Sequence, residues 1–138
     1  MNYLLDTCVI SELIKKKPNS NIVQWIAEAE ESSLFISVFT LGELHKGIEK
    51  LPESRKKEKQ HAWVSYDFKE RFHKRILNYD LQTAVIWAKI QAHAELSGKA
   101  VPAIDGLIAA TGLSYDLAVV TRNTADMEMS GVTLINPW

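Results

Sequence analysis

The 138 residues include a single cysteine, Cys8, so no intramolecular disulfide can form and nothing in the composition marks an oxidising compartment. With four prolines and six glycines, collagen-like and low-complexity classes are excluded. No run of about 18 uncharged apolar residues occurs, and no basic segment precedes the apolar residues that follow Met1. Neither a membrane span nor an export signal is expected, and a cytoplasmic location follows. Neither sign of charge prevails: 16 Lys and Arg stand against 17 Asp and Glu, a net charge of -1. Also missing are a Gly-x-Ser-x-Gly elbow, a Walker Gly-x-x-x-x-Gly-Lys loop and a Gly-x-Gly-x-x-Gly dinucleotide turn.

The chain is 46% hydrophobic and 24% charged, the profile of a globular protein. Its length suits one domain over residues 1–138, burying roughly two-thirds of the surface an unfolded chain exposes. Charge is unevenly spread. From Glu53 to Arg75 there are eight Lys or Arg against four acids, and Lys15, Lys16 and Lys17 form a second basic spot. That stretch reads either as a solvated helix with i, i+4 pairs such as Asp67 with Arg71 and Glu70 with Lys74, or as a phosphate-binding surface.

Periodicity places strands at Tyr3 to Leu5, Leu34 to Phe39, Leu117 to Val120 and Val132 to Ile135. Between them lie helices. One is capped by Ser20 or Asn21, one runs from Thr40 to about Lys50, and the charged stretch buries Val64, Phe68, Phe72 and Ile76 as a single stripe. A fourth covers Leu81 to Ser97, and its first half, with Val85, Ile86, Trp87 and Ala88, is apolar on most sides and therefore expected to be central. Pro102 opens the last long helix. Strands separated by helices predict an α/β fold with a mostly parallel sheet of four or five short strands, covered by helices on both faces.

Four acids lie at the edges of apolar segments. Asp6 follows the first strand, where ligands bind in open α/β sheets, although an Asp there also bonds a nearby backbone N–H. Glu43 completes Thr40-Leu41-Gly42-Glu43, a capping-box pattern, on a helix that starts just past a strand. Asp105 sits in a helix first turn among apolar neighbours, where the helix dipole favours its charge. Asp126 follows the third strand, with Asn123 as a candidate helix cap. Four converging carboxylates repel unless a cation lies between them, and an all-oxygen set selects Mg²⁺ or Mn²⁺ over zinc. Thr121 and Asn123 are neutral hydrogen-bonders placed to orient a ligating carboxylate. His45, His61, His73 and His93 have no metal-ligand spacing, and Cys8, beside Asp6, is disfavoured as a thiolate.

The segments Leu4-Leu5-Asp6-Thr7-Cys8-Val9-Ile10-Ser11-Glu12-Leu13 and Ser37-Val38-Phe39-Thr40-Leu41-Gly42-Glu43-Leu44 resemble the first motifs of the PIN-domain nucleases. Pro102-Ala103-Ile104-Asp105-Gly106-Leu107-Ile108-Ala109-Ala110-Thr111 and Val120-Thr121-Arg122-Asn123-Thr124-Ala125-Asp126 resemble the later ones, in family order. The size and the ending Asn136-Pro137-Trp138 are similar to VapC-type toxins of toxin-antitoxin pairs, including the FitB-like branch. Departures are Cys8 where Asn is frequent, Gly106 where Ala is common and Met127 in place of an aromatic. None removes an acid.

This resemblance implies a PIN-like three-layer α/β/α sandwich and a Mg²⁺- or Mn²⁺-dependent endoribonuclease, with Asp6, Glu43, Asp105 and Asp126 as catalytic metal ligands. Thr7, Thr121 and Asn123 would support those ligands, and Lys15, Lys46 and Arg122 would hold RNA phosphates. It also implies a VapB-like antitoxin and a homodimer, for which the aromatics Trp63, Phe68, Phe72 and Trp87 leave room, although core packing explains them equally well. Two rivals remain open on the residues alone. One is a PIN-fold binding module without catalysis, and the other an aspartyl-phosphate enzyme using Asp6, for which Cys8 stands where a second Asp is needed.

Overall fold

The computed structural model describes all residues, Met1 to Trp138. Strands β1 (Tyr3–Leu5), β2 (Leu34–Ser37), β3 (Ile76–Leu77), β4 (Ala118–Val120) and β5 (Leu134–Ile135) form one sheet in the order β3-β2-β1-β4-β5. Every pairing is parallel. The first strand is thus central, and the chain builds outwards from it to one side and then to the other. Such a reversal of direction opens a crevice at the carboxyl ends of the strands.

Helices α1 (Thr7–Leu13), α2 (Ser20–Glu28), α3 (Val38–Glu49), α4 (Arg55–Ala62), α5 (Lys69–Arg71), α6 (Leu81–Leu96), α7 (Ala103–Ser114) and α8 (Thr124–Met127) connect the strands. Successive strand residues face opposite ways, so each short strand feeds two cores. Leu5 and Val120 join Val9, Ile10, Ile22, Phe68 and Phe72 on one face. Leu4 and Val119 join Ile90, Ile108, Ala109 and Met127 on the other. The result is the helix–sheet–helix sandwich expected. No helix is long and apolar enough to cross a membrane.

Several local expectations need correction. The cap of α2 is Asn19, one residue before the expected pair, its Oδ1 accepting from Asn21 N–H at 2.8 Å. Within the charged stretch, Trp63–Phe68 is a π-helical turn joining α4 to α5. Val64, Phe68 and Phe72 are buried as expected, but Ile76 leaves the stripe to form the edge strand β3. Lys74, at φ 66°, ends the helix and turns the chain into that strand. Arg71 and Arg75 pair with Glu31 at 2.8 and 3.2 Å, so Asp67 does not hold Arg71.

Nor is α6 central. Its inner face buries Thr83, Ile90 and Ala94, yet Leu81 and Leu96 are 81% and 89% exposed and Val85 is 48% exposed. A helix apolar all round usually marks full burial, but here α6 lies in an outer layer and leaves one apolar face to solvent.

Candidate active site

Asp6 leaves the carboxyl end of β1 and caps α1, so its backbone direction is set by the central strand. The carboxyl is buried, with Oδ1 accepting from Thr7 N–H at 2.7 Å and Oδ2 from the Thr121 hydroxyl at 2.7 Å. Cys8 S–H approaches Oδ2 at 3.6 Å. Burial raises the pKa of Asp6, while the Thr121 hydroxyl and the Thr7 N–H act the other way. The neighbouring Cys8 thiol is likewise raised, by burial and then by the Asp6 charge, which keeps it protonated.

Glu43 is not part of a capping box. Ser37 caps α3, its Oγ accepting from Thr40 N–H at 3.3 Å, so Thr40 is the third helical residue and Glu43 lies a turn further in. The freed Glu43 carboxylate accepts from the Thr7 hydroxyl at 2.6 Å. Buried Thr40 stands 3.2 Å from that same hydroxyl. Thr7 therefore ties the first motif to the second: its N–H holds Asp6 and its hydroxyl holds Glu43.

Asp105 lies in the first turn of α7 and Asp126 in the first turn of α8. The Asp105 carboxyl is pushed up to about 6, by burial first and then by the negative charges of Asp6, Asp126 and Glu43. The charges of the other three acids thus all reach Asp105. No three Asp, Glu, His or Cys side chains come together tightly enough to chelate one ion by themselves. Of the four acids, only Glu43 lines the adjoining groove of about 710 Å³ between α1, α3 and α4.

Among the supporting residues, the Thr121 hydroxyl donates to Asp6 and accepts Asn123 N–H at 2.9 Å. Asn123 takes part through its backbone, and its side chain makes no cap bond to α8. Lys15 pairs with Glu12 at 3.0 Å, so its charge is already engaged. Lys46 is exposed in the last turn of α3, one turn beyond Glu43. Arg122 is exposed, forms none of the four salt bridges and has its guanidinium over the Trp138 ring, 5.3 Å from the centroid.

Sequence reasoning missed the approach of Thr40 to Thr7 and the burial of Glu12. Glu12 is buried beside Lys15 and Asn19 N–H, and the Lys15 ammonium above all holds its carboxyl below the usual range. A polar residue at every third or fourth position of α1 was the available signal. Gly106 is the other missed contact. A Cβ there would lie 2.6 Å from Gln91 Nε2, so this glycine lets the α6 side chain lie flat on α7 beside Asp105.

The model of the PIN domain family matches residues 3–128. Toxin FitB of Neisseria gonorrhoeae is 36% identical over 98% of this chain and 97% of its own length. The VapC ribonuclease Y4jK of Sinorhizobium fredii is 33% identical over 98% of this chain and 96% of its own. The crystal structure of FitAcB from Neisseria gonorrhoeae superposes with a TM-score of 0.94 at 36% identity, covering 99% of this chain and 98% of that one.

Proposed function

The chain belongs to the PIN-domain family, among the VapC-type toxins, and from that premise we propose that it is the endoribonuclease toxin of a toxin-antitoxin pair, dependent on Mg²⁺ or Mn²⁺. The observation that carries the metal reading is the Asp105 carboxyl, raised by burial and by the charges of Asp6, Asp126 and Glu43. Carboxylates that destabilise one another in this way are relieved by a multivalent cation. Their oxygens suit a hard ion. Mg²⁺ is usually held by one or two carboxylates and keeps several waters, which fits a set in which no three acids close on one point. When bound, such an ion lowers the pKa of water and offsets charge on the phosphate.

The chain's own residues do the rest. Thr7 N–H holds one oxygen of Asp6 and the Thr121 hydroxyl the other, while the Thr7 hydroxyl holds a single oxygen of Glu43, so both carboxylates are fixed in place for a ligand. Lys46 and Arg122 carry unpaired charge at the rim and would fix RNA phosphates without reading sequence. Lys15 would have to leave Glu12 to do so. Cleavage of total RNA with Mn²⁺ is the direct test, comparing wild type, a chelated control, Asp6→Asn and Asp105→Asn. Loss of cleavage in the last three is expected, and equal cleavage by all four would end the metal reading.

The groove beside Glu43 supports an antitoxin partner. Leu13, Ile14, Leu44, Ile48 and Trp63 make its wall apolar, suited to an amphipathic segment of a VapB-like chain. A basic side chain from that segment, reaching past Glu43, would compete with the cation. Self-association has a different surface from the one the aromatics suggested. Phe68 and Phe72 are core residues, whereas Leu81, Val85, Ala88, Ala92 and Leu96 form one exposed stripe along α6 that a second copy would cover.

A further inference from the structure

The ending Asn136-Pro137-Trp138 plays no part in the chemistry above, yet its tryptophan lies under a cation beside the acids. We propose that Trp138 is a positioning residue for Arg122, holding the guanidinium ready for an RNA phosphate; the proposal rests on the ribonuclease reading.

The juxtaposition is built by the sheet. Parallel β4 and β5 pair Val120 with Ile135, and Thr121 N–H donates to Ile135 O at 2.9 Å. One residue beyond Thr121 is Arg122, and three beyond Ile135 is Trp138. Each is then tied to a different neighbour. Arg122 N–H donates to Cys8 Sγ at 3.5 Å. Trp138 O accepts from Asn21 Nδ2 at 3.1 Å, its N–H donates to Asn136 Oδ1 at 3.0 Å, and its ring packs on the core that holds Leu5, Val9 and Ile10. The indole N–H meets no acceptor in hydrogen-bond geometry, although it lies near enough to Glu12 to favour that residue's charge. Trp138 is therefore a ring anchored on several sides, with the Arg122 cation over it at 5.3 Å.

Arg122 stands next to Thr121, which holds Asp6, and four residues before Asp126, yet no carboxylate pairs with it. A guanidinium that stacks through its plane keeps its edge donors free, and those donors match phosphate in a fixed fork. Stacking also removes motion that would otherwise be lost only on binding. The indole thus keeps Arg122 off the acids and at the rim, where the RNA backbone has to pass.

The test is a double-mutant cycle on RNA binding, read by fluorescence anisotropy with a labelled single-stranded RNA in chelator, alongside cleavage with Mn²⁺. Arg122→Ala and Trp138→Leu should each weaken binding about five- to tenfold and lower the slope of log Kd against log salt by about one, as loss of a single phosphate contact does. Trp138→Phe should retain most of the affinity, and the double variant should bind no worse than Arg122→Ala. A Leu variant that binds like wild type, or penalties that multiply in the double variant, would overturn the proposal, since packing alone is served by Leu. Should Trp138→Leu unfold, Arg122→Lys gives the same comparison: affinity near that of Arg122→Ala is expected, and wild-type affinity overturns it. A wild type that binds RNA, shows the coupling and fails to cleave would sink the ribonuclease reading alone. A wild type that neither binds nor cleaves would sink both.

Discussion

At the scale of single residues, Asp105 has the most to report about the site. Its carboxyl, raised to about 6 by burial and by Asp6, Asp126 and Glu43, keeps its proton to a higher pH when folded than when unfolded. Between the unfolded value near 4 and about 6 the folded protein therefore binds more protons than the unfolded chain, and stability falls as pH rises through that window. Above it the penalty is complete. Asp105→Asn should accordingly stabilise the metal-free protein at pH 8 by about 1 kcal/mol, less than the full shift implies because the half-exposed carboxyl is screened by solvent. Near pH 4.5 the difference should shrink. Thermal melts of both proteins at the two pH values check this, and a variant less stable at pH 8 would show that Asp105 is not held against neighbouring charge. The four acids themselves were legible in the sequence, because each adjoins a strand end or a helix start. Their support was only partly so: Thr7 and Thr121 were named, but the bond from Thr7 to Glu43 joins residues 36 positions apart and has no local signature.

At the scale of elements, the sequence placed most helices and strands and erred where a local pattern had two solutions. Thr40 to Glu43 satisfies the capping-box pattern, yet Ser37 also can cap, and it wins because β2 ends there and delivers its hydroxyl to Thr40 N–H. The stripe from Val64 to Ile76 keeps i+4 spacing throughout. Backbone closure differs along it: a π turn, a short α5, then the left-handed Lys74 and a strand. Helix contacts also separate two glycines that look alike in sequence. A Cβ at Gly112 would meet Val119 Cγ2 at 2.8 Å, Val132 Cγ2 at 3.0 Å and Leu117 O at 3.3 Å, where α7 presses on β4. At Gly106 it would meet the movable end of Gln91. Gly112→Ala should cost about 1 to 3 kcal/mol through overpacking, whereas Gly106→Ala should stay within about 1 kcal/mol of wild type, helix propensity offsetting the shift of Gln91. Urea denaturation distinguishes the two, and equal losses would contradict this account of the α6–α7 and α7–β4 contacts.

At the scale of the whole molecule, the exposed apolar face of α6 is the feature that the monomer leaves unexplained. Leu81, Val85 and Leu96 stay open to water although the same helix buries Ile90 and Ala94. If a second copy covers this stripe, Val85→Glu should convert a dimer into a monomer in light scattering after gel filtration, with the fold intact by circular dichroism. A wild type that is already monomeric at high concentration would remove α6 as the contact. The groove beside Glu43, proposed above for an antitoxin, is lined from α1, α3 and α4, so this substitution should leave it untouched.

What the sequence alone determined was the class of fold, four of the five strands with most of the helices between them, and the presence of four acids at strand ends and helix starts. These rest on periodicity and residue chemistry, which are local properties. Only the tertiary structure decided that β1 lies in the middle of the sheet and that the acids at positions 6, 43 and 126 act on the charge of Asp105. It alone set Arg122 over Trp138 and turned the apolar side of α6 outwards. Strand order and the outward face of a helix follow from which surfaces pack together once the chain is compact, and no spacing within a single segment encodes that choice.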